Sequence, residues 1–291
     1  MTLFTNIKSF DKSFLLKLWL SLILYQLSVC PVSAQKDTMD IKDYILIINT
    51  YTESFPWSNR LISTATNFVK DDPKLAVYTE HMNMIMIDND SILDQFKDSL
   101  FDRYGSHRPR MLLLLGNSSL ILKDDLRKMW GDIPMVLCAG KDYTGPEHYY
   151  LTKQPIPLSE RVPLAELSQS CNLTYLYANL YIHENVEMMF RTLPRMKRFI
   201  YVGDERFVNQ VNSQEIQEIL RTKHPDVHYT FLSSRDIKKT NQLIDSLNFV
   251  DPRTTGILFS SWFHKRQFAG NMMLTMILPE IVSTVSPPIC L

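Results

Sequence analysis

The segment Tyr44–Asn59, YILIINTYTESFPWSN, decides how the rest of the chain is read. It opens with an uninterrupted apolar run, Tyr44–Ile48, and passes at once into a polar and aromatic loop, with Pro56 and Trp57 placed to start a helix. A strand without polar alternation is buried on both faces, the pattern of a parallel sheet covered by helices. In such sheets ligands sit beyond the carboxyl ends of the strands. Asn49, Tyr51, Thr52, Glu53 and Trp57 therefore fall where a small molecule would be held. No nucleophile stands beside a base here, so the segment points to binding rather than catalysis.

Outward from this segment the alternation continues. Apolar strands are expected at Leu75–Thr79, Met111–Leu115 and Pro134–Cys138. Between them, Leu61, Ala65 and Phe68, then Leu93, Phe96 and Leu100, then Leu122, Leu126 and Met129 recur at helical spacing, each set giving one apolar face. A second set begins near Asn172. Val186, Met189, Phe190 and Leu193 form a helical face ended by Pro194, followed by strands Phe199–Val202, Val227–Leu232 and Gly256–Ser260. Helices carrying Ile216, Ile219 and Leu220, and then Ile237, Ile244 and Leu247, separate those strands. A long apolar helix around Met272–Ile281 and a strand near Pro288 close the series. Strands alternating with helices imply an α/β fold with parallel sheets. The expected division is residues 41–165 for one lobe and 166–291 for a second, joined near Val162–Tyr177, with a cleft that closes on a ligand.

Composition narrows the function. With 45% hydrophobic and 21% charged residues in 291, a sizeable core forms. The formal net charge of +0 and the lack of a basic run interleaved with aromatics argue against nucleic acid as a partner. Lys8, Lys12 and Lys17 precede the apolar run Leu18–Val29, and Val32-Ser33-Ala34 supplies small residues for cleavage. That is the layout of a signal peptide over residues 1–34, and it implies an extracytoplasmic, periplasmic location. An uncleaved signal anchor is the alternative and the only membrane attachment expected. Cys138, Cys171 and Cys290 follow the leader without metal-ligand spacing. They read as small buried hydrophobes, and a Cys138–Cys171 disulfide is open to them after export. The histidines are scattered, and no HExxH, GxSxG, GxGxxG or phosphate loop occurs. No metal, cofactor or catalytic residue is expected.

Five stretches in order support a resemblance: YILIINTYTESFPWSN, then VYTEHMNM at Val77–Met84, PMVLCAGKDYTG at Pro134–Gly145, FIYVGDERF at Phe199–Phe207 and GILFSSWF at Gly256–Phe263. Together they resemble the periplasmic-binding-protein-like domains related to ABC-transporter substrate-binding proteins. More closely, they resemble the extracytoplasmic sensors of Bacteroides-type hybrid two-component histidine kinases. The resemblance implies a two-lobed type I periplasmic-binding fold, each lobe a parallel sheet flanked by helices, that senses a small molecule, a carbohydrate among the candidates. It also implies a return of the chain to the first lobe, which the sequence does not supply. The fold is therefore expected to be C-terminally incomplete, without transmembrane or kinase parts. Sheet faces left uncovered would invite association, a homodimer included. Delivery of a solute to an ABC permease and a non-functional fragment are the alternatives.

The candidate ligand-binding residues are those at strand ends. Tyr51 and Trp57 offer aromatic faces for a sugar ring, although Trp57 also reads as core in its helix's first turn. Asn49 and Glu53 offer polar groups, Glu53 equally a helix N-terminal carboxylate. Asn117, after the third strand, either helps hold an anion or caps a helix. Asp142, beside Lys141, reads as a ligand contact or part of a hinge salt bridge. In the second lobe, Asp204 and Arg206 follow one strand, and Ser260, Ser261 and Trp262 follow another, making a wall opposite Trp57.

Overall fold

The computed structural model describes residues 43–53, 55–233, 242, 245–260, 264–265, 271–272 and 289–290. The expected leader, the helix around Met272–Ile281 apart from Met272 itself, and most of the helix carrying Ile237 and Ile244 lie outside these residues. No helix among the described residues is long and apolar enough to cross a membrane.

Two separate parallel sheets form. The first contains β1 (Tyr44–Asn49), β2 (Ala76–His81), β3 (Met111–Leu115) and β4 (Met135–Ala139). Short β5 (Tyr143–Thr144) and β6 (Val162–Pro163) pair antiparallel with each other, and β7 (Leu173–Tyr177) completes the sheet in the order β2-β1-β3-β4-β7. The second sheet contains β8 (Arg198–Val202), β9 (His228–Leu232) and β10 (Thr255–Phe259). The short β11 (His264–Lys265) and β12 (Asn271–Met272) pair with each other, and β13 (Ile289–Cys290) joins the second sheet, ordered β13-β10-β8-β9. Every pairing within the two main sheets is parallel. By rank within each lobe, the first sheet runs second, first, third, fourth, fifth. The second sheet repeats the first four places of that order. This is the doubly wound arrangement with its switch point between the first and third strands.

The assignment of β7 moves the lobe boundary. Residues 166–177, expected in the second lobe, belong to the first. Leu173–Tyr177 register against Met135–Ala139, and Met135 N–H donates to Asn172 O at 2.8 Å, so backbone pairing decides where the strand belongs. The chain then crosses between lobes at residues 178–181.

The helices cover the sheets as the apolar spacing requires, with one exception. α1 (Pro56–Val69) lays Leu61, Ile62 and Ala65 over Ile47, Leu115 and Cys138, but Phe68 is 89% exposed. Alternate strand residues Leu46, Ile48, Leu112 and Leu114 point to the opposite face and are fully buried. α2 (Asp90–Tyr104) is capped by Asn89, whose side chain accepts from Ile92 N–H. α3 (Lys123–Trp130) stops at Gly131 with φ 73°, a conformation suited to glycine. The short α4 (Glu147–Thr152) and α5 (Leu164–Ser170) lead to β7. In the second lobe, α6 (Ile182–Thr192) and α7 (Phe207–Lys223) pack Val186, Met189, Ile216 and Leu220 against Phe199, Tyr201 and Leu258. Cys138 and Cys171 are buried free thiols, so the disulfide considered for them is not made. Burial raises the pKa of both.

Candidate functional site

A cavity of about 90 Å³ lies where the carboxyl ends of the two sheets meet. One water needs roughly 10–15 Å³ on the same measure, so the space suits a small molecule. The first lobe supplies Thr50, Tyr51 and Thr52 after β1, Asn83 to Ile85 after β2, Asn117 and Ser118 after β3, and Gly140 and Lys141 after β4. Phe55, Tyr150 and Lys153 complete that side. The second lobe supplies Arg206, Phe207 and Val208, after β8. The strand-end rule thus holds for both sheets at once.

The chain reaches this geometry through a few local devices. Thr50 folds back on β3, its N–H and Oγ1 both donating to Leu115 O at 3.1 and 2.8 Å. Gly116 follows with φ 94°, and a Cβ there would stand 2.3 Å from Thr50 Oγ1. Glycine is required by conformation and by space. Asn117 then holds the turn after β4. Its Nδ2 donates to Lys141 O and Tyr143 O at 2.7 and 2.8 Å, and its Oδ1 accepts from Gly140 and Lys141 N–H at 2.9 and 3.2 Å. The amide is fully used, so Asn117 shapes the wall. It does not cap the short 3-10 helix Asn117–Leu122, whose first turn has no side-chain cap.

Lys153 is buried with φ 60° and ends α4. Its ammonium donates to the carbonyls of Met84, Ile87 and Tyr150 at 2.7, 2.5 and 3.0 Å. It thereby ties the loop after β2 to α4. Tyr150 is 1% exposed and exchanges a 3.1 Å hydrogen bond with Thr144 Oγ1; burial raises its pKa well above the ordinary phenol value.

On the second lobe, Asp204 and Arg206 make a two-pronged pair. Arg206 Nε and Nη2 donate to the two carboxylate oxygens at 2.8 and 2.7 Å. Asp204 also accepts from Asn209 Nδ2 at 2.8 Å, while Asn209 Oδ1 accepts from Tyr201 Oη and Ser260 Oγ. Burial disfavours the Arg206 cation, but the charge and hydrogen bonds of Asp204 outweigh it and leave the pKa raised. Burial likewise raises Tyr51, with Arg206 pulling the other way. Burial pushes Tyr201, inside this network, up to about 12.

Contacts among the described residues join the lobes around the cavity. Arg206 lies over the Phe55 ring at 5.3 Å from its centroid. Tyr150 and Phe207 approach to 4.7 Å between centroids. Lys141 Nζ donates to Glu215 Oε2 at 2.8 Å.

Of the residues marked from sequence, Tyr51, Thr52, Asn117 and Arg206 line the cavity. Tyr51 stacks on Phe55 at 4.5 Å and meets Trp57 edge-on. Asp204, Asn49 and Ser260 stand behind the wall. Asn49 Nδ2 bonds Ser58 Oγ and His81 Nδ1, and its Oδ1 accepts from Tyr51 N–H, so it supports Tyr51 and has no free group for a ligand. Trp57 packs under α1 against the core of β1, β3 and β4 and does not line the cavity, a correction to the stacking role expected for it. Glu53 is exposed and also outside the lining. Asp142 is exposed and belongs to a separate groove beside the interlobe crossing, shared with Tyr143, Tyr177, His183 and Glu218; the salt bridge foreseen there is made by Lys141. Ser261 and Trp262 lie outside the described residues. Phe55, Asn83, Met84, Tyr150, Lys153 and Phe207 were not marked. The α4 residues lie in Gly145–Pro163, rich in Pro and Tyr and without periodicity, which reads from sequence as an edge strand plus the approach to a hinge and forms the short helix α4 instead. Among the described residues no cluster of His, Cys, Asp or Glu is arranged for a metal.

No family model matches the chain, and no curated protein matches it. Solved structures do resemble it. One is a substrate binding protein with adhesive properties from Clostridium difficile, ligand-free and open, at 12% identity and TM-score 0.41 over 74% of this chain. A second is a carbohydrate transporter solute binding protein from Agrobacterium radiobacter in complex with D-arabinose, at 10% identity and TM-score 0.43 over 75% of this chain. The chain spans 65% and 66% of the length of these two. A third, a periplasmic binding protein/LacI transcriptional regulator from Alkaliphilus metalliredigens complexed with D-xylulofuranose, matches at 10% identity and TM-score 0.41, covering 83% of this chain and 90% of that one.

Proposed function

We propose that the chain is an extracytoplasmic small-molecule-binding module whose two lobes close around the ligand, as the receiving part of a sensor. The observation that carries this reading is a cavity whose wall is built from the carboxyl-end loops of both parallel sheets. Motion of one lobe against the other would open and close that wall, so occupancy and lobe angle are linked. The wall chemistry favours binding over reaction. Its described residues include no histidine, cysteine or carboxylate, and so no group suited to act as a general base near neutral pH. Aromatic faces from Tyr51 and Phe55 with amide and hydroxyl groups from Asn83 and Ser118 suit a small neutral polar molecule, with carbohydrates the first class to test. In a sensor the closed state would be passed on to a kinase.

A thermal-shift screen of the purified chain tests the reading. Pools of pentoses, hexoses, nucleobases and amino acids are each added at millimolar concentration. A ligand at about a hundred times its dissociation constant adds roughly 2.7 kcal/mol of stability, a rise of several degrees in the unfolding midpoint. At least one pool is expected to give such a rise. A midpoint unmoved by every pool would count against a binding function.

A further inference from the structure

Strand β7 ends the first sheet, and among the described residues only β4 pairs with it. Met135 N–H donates to Asn172 O at 2.8 Å and Ala178 N–H to Ala139 O at 3.0 Å. Successive residues of a strand turn their backbone groups to opposite sides. Residues 172, 174, 176 and 178 therefore face β4, while Leu173, Tyr175 and Tyr177 face outward. Leu173 N–H is held by Cys171 O at 2.7 Å, but no hydrogen bond to another described residue takes up the backbone groups of Tyr175 and Tyr177.

An open edge of this kind is a template for another strand, and proteins commonly guard it with charge or proline. The opposite edge of the same sheet, β2, carries His81 and also Glu80, which is ion-paired with Arg103. β7 has no such guard. From Asn172 to Tyr181 the sequence reads NLTYLYANLY, without a charge or a proline. Its side chains lie open as well, Leu176 being 60% and Tyr177 43% exposed.

We propose that the β7 edge is the interface of a homodimer, in which two copies join their first sheets through antiparallel β7 strands about a two-fold axis at Tyr175. The occupant is a second copy because the edge is complementary to itself. With the axis at Tyr175, its N–H and C=O meet those of Tyr175 in the second copy, and Tyr177 N–H meets Leu173 O. On one face Tyr175 stands beside Tyr175 and Leu173 beside Tyr177; on the other Thr174 stands beside Leu176. Cross-strand pairs of these kinds stabilise adjoining strands. Because the edge is uncharged, no like charges oppose one another when it meets its own copy.

Sedimentation velocity of the whole chain over a wide concentration range tests the interface. A contact along one strand edge is small, so a weak dimer is expected, forming between micromolar and millimolar concentration. Tyr175→Lys and Tyr175→Glu each set like charges against one another across the axis, and each should weaken the dimer about tenfold. An equal mixture of the two sets Lys against Glu and should recover the dimer as a mixed species. Circular dichroism identifies any loss of fold. Should either variant fail to fold, Leu176→Lys, at an exposed position on the other face of β7, supplies the comparison and should weaken the dimer likewise. Phe68→Lys, at an exposed apolar position on α1, should leave association unchanged. A parent that stays monomeric at every concentration, as it would with a segment of its own chain on the edge, overturns the proposal. So does association that folded Tyr175→Lys or Leu176→Lys retains in full, that the mixture fails to recover, or that Phe68→Lys abolishes.

Discussion

At the scale of single residues, the site depends on charges and amides already committed to one another. Asp204 has a side chain 1% exposed and Arg206 one 13% exposed, so their pair stands largely out of water. Removing one partner leaves the other charge buried alone, which costs about 3–5 kcal/mol. Arg206→Ala should therefore lower unfolding free energy by about that amount in urea titration, and the double change Arg206→Met with Asp204→Asn should lower it distinctly less. Equal losses in the two would show that the carboxylate has another full partner. Much of this chemistry was legible in the sequence: Tyr51, Asp204 and Arg206 follow apolar strands, and strand ends are where a parallel sheet holds ligands. What spacing could not reveal is which side chains are used up internally. Asn49 and Asn117 have the right chemistry in the right place, yet neighbouring groups consume their amides, side chains and backbone for Asn49 and backbone alone for Asn117. Lys153 was invisible for the opposite reason. A lysine in a Tyr-rich segment reads as solvent-facing until three carbonyls converge on it.

At the scale of elements, α1 shows how far periodicity carries. Leu61 and Ala65 face the sheet as expected, but the face continues through Ser58, Ile62 and Val69 rather than Phe68. A spacing of seven fits Phe68 as well as eight fits Val69, and only the angle of the helix on the sheet separates them. Two substitutions test the outcome. Trp57→Ala removes a half-buried ring from the cluster of Ile47, Leu115 and Cys138 and should cost about 2–3 kcal/mol. Phe68→Asn changes an exposed position and should stay within about 0.5 kcal/mol of the parent. Chemical denaturation measures both, and a reversed order would mean that α1 is rotated about its axis. β7 teaches a related lesson. Its sequence, LTYLY, suits an edge strand of either sheet, and residues 166–177 were assigned to the wrong lobe because register is a tertiary property.

At the scale of the whole molecule, two sheets with the same strand order turn their carboxyl ends toward a common cavity. The alternation of strand and helix made the parallel sheets readable in advance, and the two lobes followed from the repeat of that alternation. The contacts that bring the lobes together were less readable, since Arg206 over Phe55, Phe207 on Tyr150 and Lys141 with Glu215 join residues far apart in the chain. The most direct measurement exploits Gly140, which lines the cavity and whose added Cβ would meet nothing within 4 Å. Gly140→Phe should fill the space and leave the fold intact. The unfolding midpoints of parent and variant are measured with and without the ligand pools. The account predicts equal midpoints without additives, and with the active pool a rise of several degrees in the parent that vanishes in Gly140→Phe. A rise of the same size in both proteins would place binding elsewhere and contradict the shared cavity as the site.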